Sequence, residues 1–363
     1  MLCNLCGSDN REAAKFCDRC GAALDGTITR TGIDPELDAL RKAFEDRFAV
    51  ESLLGRGGMG SVYKARELTL DRHVALKIVP ESRRHDAQFV ERFRREARIA
   101  ARLRHPRIVS VHDVGTLGGF PYFSMDYIEG STLRALVRRR GPLPYEDAIS
   151  VVVEICRAVA HAHAKGVIHR DLKPENVMID TEGDVFVMDF GLARVAEEPG
   201  LTQSGMIIGT PFYMSPEQLG GEKLDERSDV YSIGLVLYHC LTGQDLFAAD
   251  GITAVIAKHT SMRVRDVLKS GELLRPNTQD LVVSMLEEDP NMRTRSVKEV
   301  LERLTLRKIV ALGLAATEDA AAEMPTLPFS DFQRETVIPV EDQVVAVAAE
   351  RRKARLRALL DEM

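Results

Sequence analysis

Eight consecutive residues, His169-Arg170-Asp171-Leu172-Lys173-Pro174-Glu175-Asn176, gather the side chains best suited to chemistry in this chain. Asp171 could accept a proton from a hydroxyl, Lys173 could neutralise a phosphate, and Asn176 could hold a metal ion through its amide oxygen. Thirteen residues beyond Asn176 comes Asp189-Phe190-Gly191, a second hard oxygen ligand. The bland alternative is a solvated polar loop after a buried helix. Upstream features that suit phosphate chemistry weigh against it. Gly55-Arg56-Gly57-Gly58-Met59-Gly60 fits G-x-G-x-x-G. Dinucleotide-binding folds share that pattern but need a helix directly after the glycines. Here Ser61-Val62-Tyr63-Lys64-Ala65-Arg66 alternates like a strand, so the expected order is strand, glycine turn, strand. No Gly-Lys-Ser/Thr follows, which excludes a Walker loop.

The positioning elements come next. Val74-Ala75-Leu76-Lys77 is a short apolar strand carrying a lysine that needs an anionic partner. The following helix, roughly Asp86 to Leu103, places Phe89, Phe93, Glu96, Ala100 and Leu103 on one face at the 3.6-residue period. A carboxylate on that apolar face is costly unless paired, so a Lys77–Glu96 ion pair is expected. The alternative is a part-exposed Glu96 pairing locally with Arg92, Arg94, Arg95 or Arg98. Phe120 to Ile128 reads as a strand leading into a loop, and 145 to 165 as a strongly apolar helix. Cys156 and Cys240 lie in apolar runs and read as core residues. His161 and His163 read as structural.

Composition sets the outer limits. The chain has 363 residues, 45 % hydrophobic and 29 % charged, enough for about two domains or one large domain with appendages. A net charge of −6 gives no general attraction to nucleic acid or to an anionic membrane. No secretory signal is visible, and the best apolar run, Ile309 to Ala316, is far shorter than the roughly 20 residues a span needs. The chain therefore reads as cytoplasmic.

Both ends differ from the middle. Cys3, Cys6, Cys17 and Cys20 form two C-x2-C knuckles ten residues apart. Two such knuckles close a tetrahedral four-thiolate site, with Gly7 and Gly21 easing the turn after each. About 25 residues bury too little apolar surface to fold alone, whereas metal binding supplies on the order of 10 kcal/mol. Residues 1–25 thus resemble a zinc ribbon with a structural zinc ion. Disulfides are the rival reading, disfavoured because cytosolic thiols stay reduced. Residues 26–47 read as a linker ending in a helix, with Asp34-Pro35 at its start and Leu37, Leu40, Ala43 and Phe44 at helical spacing. Residues 306–340 read as a linker rich in Ala, Glu, Thr and Pro, and 341–363 as an amphipathic helix. Its Val345, Ala349, Arg352, Leu356, Leu359 and Met363 follow a heptad seam. That seam suits a homodimer, docking back on the preceding domain, or plain amphipathy.

Residues 48–305 resemble bacterial eukaryotic-like serine/threonine protein kinases. The carriers are Gly57 to Tyr63, His169 to Asn176, Asp189 to Gly191, Gly209 to Gln218 and Ser228 to Gly234. The resemblance implies an α+β bilobal kinase fold, with a small β-rich lobe, a larger helical lobe and an ATP cleft between them. Leu54, Gly55, Gly57, Gly58 and Gly60 would then cover the ATP phosphates, and Lys77 would touch them, backed by Glu96. Met125 would be the gatekeeper, Asp126 to Ile128 would bond the adenine edge, and Val62, Ala75 and Met178 would sandwich the ring. Asn176 and Asp189 would hold magnesium, Asp171 would act on the substrate hydroxyl, and Lys173 would steady the phosphoryl group and favour Ser/Thr over Tyr substrates. Glu217 would pair with Arg293, and Asp229 would brace the catalytic loop. Ser215 stands where the family commonly has Ala. Thr202 and Ser204 are expected autophosphorylation sites, gathered by Arg170, with Thr210 the weaker candidate. Partners would be protein substrates and the kinase itself, with no nucleic acid.

Two other classes compete. A pseudokinase would use the fold as a scaffold, but the usual losses are absent, since Lys77, Asp171 and Asp189 are all present. A zinc-ribbon adaptor for nucleic acid is disfavoured because the ribbon's basic residues are mainly Arg11, Lys15 and Arg19.

Overall fold

The computed structural model describes residues 35–57, 60–190, 211–249, 252–262 and 276–311, with single positions 264, 266, 268 and 357. The four N-terminal cysteines, Gly58, Thr202, Ser204, Thr210 and the C-terminal heptad seam lie outside these residues.

Strands β1 (Phe48–Gly57), β2 (Gly60–Glu67), β3 (Arg72–Ile78), β4 (Val111–Leu117) and β5 (Phe120–Asp126) form an antiparallel sheet in the order β1-β2-β3-β5-β4. The two-residue side-chain period decides which residues reach which face. Val74, Leu76 and Ile78 of β3 join Tyr63 and Ala65 of β2 in one apolar cluster. Ala75 and Val79 join a second cluster on the opposite face. Lys77 shares the second face by alternation, and register places it opposite Val62 and Phe123.

Helix α2 (Ala87–Ala100) covers that second face. It starts at Asp86, whose carboxylate accepts the Phe89 amide at 3.0 Å. Its buried residues are Val90, Phe93, Glu96, Ala97 and Ala100, while Phe89 is only half-buried. Helix α1 (Pro35–Phe44) packs on the other face. The segment expected as a linker thus ends in a helix that belongs to the sheet's core. Leu40 and Phe44 are fully buried, and Phe44 lies 5.1 Å from the Tyr122 ring and 6.1 Å from that of Phe48. Burial of this kind contributes about 1.5–3 kcal/mol per side chain. The fit is close at Gly118 (φ +51), where an added Cβ would meet Ala43 Cβ at 2.5 Å.

The second lobe is helical. Helices α3 (Leu133–Arg140), α4 (Tyr145–Ala164), α5 (Pro216–Gly220), α6 (Glu226–Thr242), α7 (Ile252–Ser261), α8 (Pro276–Met285) and α9 (Val297–Ala311) accompany a small sheet. That sheet comprises β6 (Gly130–Thr132), β7 (Val177–Asp180) and β8 (Val185–Val187). Helices α4 and α6 are buried on nearly every side, and Cys156 and Cys240 sit in their core at 0 % exposure. Burial pushes both thiols up, that of Cys240 to about 12, so they behave as core residues and stay protonated. The segment before β4 is tied to β8 of the helical lobe by hydrogen bonds from the Val109 amide to the Val187 carbonyl at 3.0 Å and from the Val187 amide to the Arg107 carbonyl at 2.8 Å. No helix among the described residues is long and apolar enough to cross a membrane.

Candidate active site

The octapeptide forms the turn between α4 and β7, and its shape is imposed by a buried carboxylate. Asp229, on α6, is fully buried and accepts the amides of His169 at 2.8 Å and Arg170 at 2.9 Å. Burial alone would raise this carboxyl, but the His163 imidazole at 2.7 Å, together with these donors, outweighs it and holds the group below the ordinary value. The anchoring holds Arg170 at φ 69, a backbone region that non-glycine residues rarely adopt. Gln218 Nε2 adds a bond to the Arg170 carbonyl at 2.6 Å. The brace expected of Asp229 is therefore formed.

Asp171 emerges from this turn with its carboxylate held on both sides. Lys173 Nζ donates to its two oxygens at 3.0 and 2.7 Å. Asn176 Nδ2 donates to its carbonyl at 2.7 Å and to Oδ2 at 3.0 Å. With its amide nitrogen committed, Asn176 retains Oδ1 as a metal-ligand candidate. The Asp189 loop is tied to the same turn. His169, fully buried, bonds the Met188 carbonyl through Nε2 at 3.0 Å and packs its ring 4.5 Å from that of Phe190. The Met188 amide donates to the Asn176 carbonyl at 3.0 Å. Sequence spacing alone could not show that these two loops are hydrogen-bonded neighbours.

One expectation is corrected. Lys77 Nζ pairs with Asp189 Oδ1 at 2.8 Å, not with Glu96. No cation among the described residues lies within ion-pair distance of Glu96, although Lys77 and Arg95 still act on it at longer range. Two carboxylates compete for one ammonium, and the Asp189 loop, at φ 61, brings its carboxylate closest. Glu96 is left on the buried face of α2 at 7 % exposure, and burial pushes its carboxyl up to about 8. Glu96 thus keeps its proton at neutral pH.

The sign of the pH effect follows. Above the ordinary carboxyl value of 4.5 the unfolded chain gives up the Glu96 proton, whereas the folded protein keeps it to about 8. Glu96 therefore makes stability fall as pH rises from 4.5 to about 8. Glu96→Gln should remove this component, on the order of a few kcal/mol. Urea unfolding of both proteins at pH 5 and pH 8 checks it: the stability difference between variant and wild type should be larger at pH 8. An equal difference at the two pH values would refute it.

The nucleotide-site candidates divide between the lobes. Val62, Ala75, Lys77 and Met125 share one sheet face, with Ala75 opposite Met125 in the register. Ala75 and Met125 are 5 % exposed, and Val62 and Ile128 are half-buried against the same cluster. Met178, on β7, is half-buried in the helical lobe. Leu54 is 39 % exposed, and beside it Gly55 borders open space. Gly60 (φ +147) must be glycine, because a Cβ would meet the Ile78 carbonyl oxygen at 2.3 Å. The Asp126 amide is already committed to Ser110, so the adenine-edge donors expected of 126–128 reduce to the later amides. A small cavity lies behind Met125, lined by Phe123, Asp189 and Phe190 among others.

Sequence reading missed a buried polar hub. Arg134, on α3, donates to Glu175 at 2.9 Å, Asp245 at 2.7 Å and Tyr213 Oη at 3.0 Å. These partners lie 41, 111 and 79 residues away, so no local pattern announces them. Burial would raise the Asp245 carboxyl, but hydrogen bonds from His239 and the charge of Arg134 drive it well below the usual carboxylate range. The hub ties the catalytic turn to Tyr213 and to the end of α6. His163, expected to be structural, is so: its Nε2 lies 2.7 Å from Asp229 Oδ2.

A β-rich lobe carrying Lys77 behind a glycine hairpin, set on a helical lobe that presents Asp171, Asn176 and Asp189, defines the protein kinase fold. Residues 48–304 match the protein kinase domain family, and the chain belongs to it. Among similar proteins is the serine/threonine-protein kinase PknB of Mycobacterium leprae, 41 % identical over 260 residues, or 70 % of this chain and 42 % of that protein. The probable serine/threonine-protein kinase CPE1738 of Clostridium perfringens is 36 % identical over 281 residues, 77 % of this chain and 41 % of that protein. The serine/threonine-protein kinase PrkC of Bacillus subtilis is 34 % identical over 259 residues, 71 % of this chain and 40 % of that protein. The chain spans less than half the length of these relatives.

Proposed function

We propose that this chain is an ATP-dependent serine/threonine protein kinase that acts on protein hydroxyls and on its own activation segment. The observation that carries the reading is Asp171, held by Lys173 and Asn176 in a turn hydrogen-bonded to the loop that bears Asp189. The donor set fits magnesium, since Asn176 Oδ1 and the Asp189 carboxylate are hard oxygens beside a lysine suited to phosphate. Bound magnesium ATP supplies the transferable phosphoryl group and the positive charge that offsets its oxygens. Asp171 orients the incoming Ser or Thr hydroxyl and takes its proton. Lys173, already on the Asp171 carboxylate, is placed to balance charge on the phosphoryl oxygens. Lys77 and the glycine-hairpin amides hold the phosphates, and Glu96 stands behind Lys77. Met125, Val62, Ala75 and Met178 wall the base.

The test is the intact mass of the purified chain before and after magnesium ATP, beside Asp189→Asn. Mass rising in single-phosphate steps only in the wild type is the expected result, with Thr202 and Ser204 as the sites. No change in either protein would favour the scaffold reading. A change in both would indicate a contaminating kinase.

The finer readings rest on sequence. Cys3, Cys6, Cys17 and Cys20 are proposed to bind one structural zinc, supported by the spacing of their two C-x2-C knuckles. The ribbon is assigned a protein-interaction or regulatory role.

A further inference from the structure

Helix α1 lies outside the part of the chain that matches the kinase family, yet one of its side chains reaches the glycine hairpin. Glu36, 17 % exposed, receives three groups from three different segments. Arg84, from the β3–α2 connection, donates to Oε1 at 2.6 Å. Tyr63, on β2, donates its hydroxyl to Oε2 at 3.1 Å. Arg56, between Gly55 and Gly57 on β1, lies 3.5 Å from the same oxygen. Two of the three donors are themselves fixed. Tyr63 is fully buried, and the Arg84 guanidinium bonds the Val79 carbonyl at 3.2 Å and lies 4.1 Å over the Phe120 ring.

Backbone pairing with β2 runs to the tip of this arm, at Gly55–Val62, Arg56–Ser61 and Gly57–Gly60, but its side chains pack little. Leu53 and Leu54 are each more than a third exposed, and the positions of Gly55 and Gly57 border open space or ordinary contact distance. Glycine-flanked backbone is conformationally permissive, so a side-chain tether matters more here than in a packed strand. The opposite arm is fixed by Gly60, which sits against the Ile78 carbonyl. The helix that carries the carboxylate is anchored, because α1 packs through Leu40 and Phe44 and through the close contact of Ala43 with Gly118.

We propose that Glu36 is a positioning residue of the nucleotide site, through which α1 sets the glycine hairpin against the β3–α2 connection. Glu36 touches no substrate. It acts through Arg56, on the arm of the hairpin proposed to cover the phosphates. The proposal rests on the kinase reading above, and the test separates the two.

The full chain is titrated with magnesium ATP by calorimetry, and KM and kcat are measured, for wild type, Glu36→Gln, Arg56→Gln and the double variant. Affinity for magnesium ATP should fall, and KM should rise, by about two- to fivefold in each single variant, the upper part of the range for a part-exposed charge pair. The kcat should stay within about twofold, because the reacting groups are untouched. The double variant should match the singles instead of multiplying them, since one tether has been cut twice. Unchanged affinity in both singles, or multiplying effects in the double, would overturn the proposal. A loss of thermal stability with no change in KM would show a structural role only, and would also overturn it. Should Glu36→Gln fail to fold, Arg56→Gln carries the test, because its side chain is 42 % exposed. A wild type that binds no magnesium ATP would sink the kinase reading itself.

Discussion

Asp171→Asn should lower kcat by about 10²–10⁴-fold while affinity for magnesium ATP stays within about twofold. Asparagine keeps the shape, and its single amide oxygen, set where Oδ2 lies, can accept from Lys173 and Asn176, so the turn should persist with only the second Lys173 bond lost. What it lacks is a basic oxygen for the hydroxyl proton. The turn is held from below by Asp229, through the amides of His169 and Arg170, and that support does not depend on the Asp171 charge. Phosphate transfer to a generic Ser/Thr protein, read by radiolabel together with nucleotide binding, checks the prediction. A variant within tenfold of wild type would remove Asp171 from the base role. A variant that no longer binds nucleotide would point to collapse of the turn.

Arg293→Ala should destabilise the fold by about 3–5 kcal/mol, the usual cost of breaking a buried ion pair from one side. The Arg293 side chain is fully buried and its partner Glu217 is 5 % exposed. The pair is bidentate, at 2.8 and 3.1 Å. The guanidinium also serves the carbonyls of Arg227 at 2.8 Å, Glu287 at 3.0 Å and Glu288 at 3.2 Å, and lies 4.9 Å over the Tyr231 ring. Among the described side chains, alanine would leave the Glu217 carboxylate with the Ser228 hydroxyl at 2.7 Å, and would remove the donors of three carbonyls. Burial would raise the Glu217 carboxyl, but the bonds from Arg293 and Ser228 more than reverse that and hold it below 4.5. The stability it contributes is therefore present above 4.5 and fades as pH falls through the lowered value. Denaturant unfolding at pH 7 measures the loss. A change under 1 kcal/mol would mean that the segment after Tyr213 is held by other contacts.

Much of the site was legible in the residues. The octapeptide, the Asp189 triplet, the glycine hairpin followed by a strand, and a lysine on an apolar strand are local patterns, and local patterns fix local backbone. Period 3.6 put Glu96 on the buried face of α2, as the structure has it. The choice between partners was not legible. Glu96 and Asp189 are both plausible anions for Lys77 in sequence, and only the approach of the Asp189 loop, in its positive-φ turn, awards the ammonium to Asp189.

The same division runs through the molecule. Residue order determined which groups this protein has for chemistry, which elements carry them and on which face, because periodicity and backbone sterics act over a few neighbours. Tertiary structure alone decided that α1 belongs to the β-rich lobe, that Arg134 joins residues 41 to 111 positions away, and that one Glu36 carboxylate meets a glycine-hairpin arginine. Those outcomes turn on distances between charges and on which buried groups find partners, and such distances exist only once the chain has closed on itself.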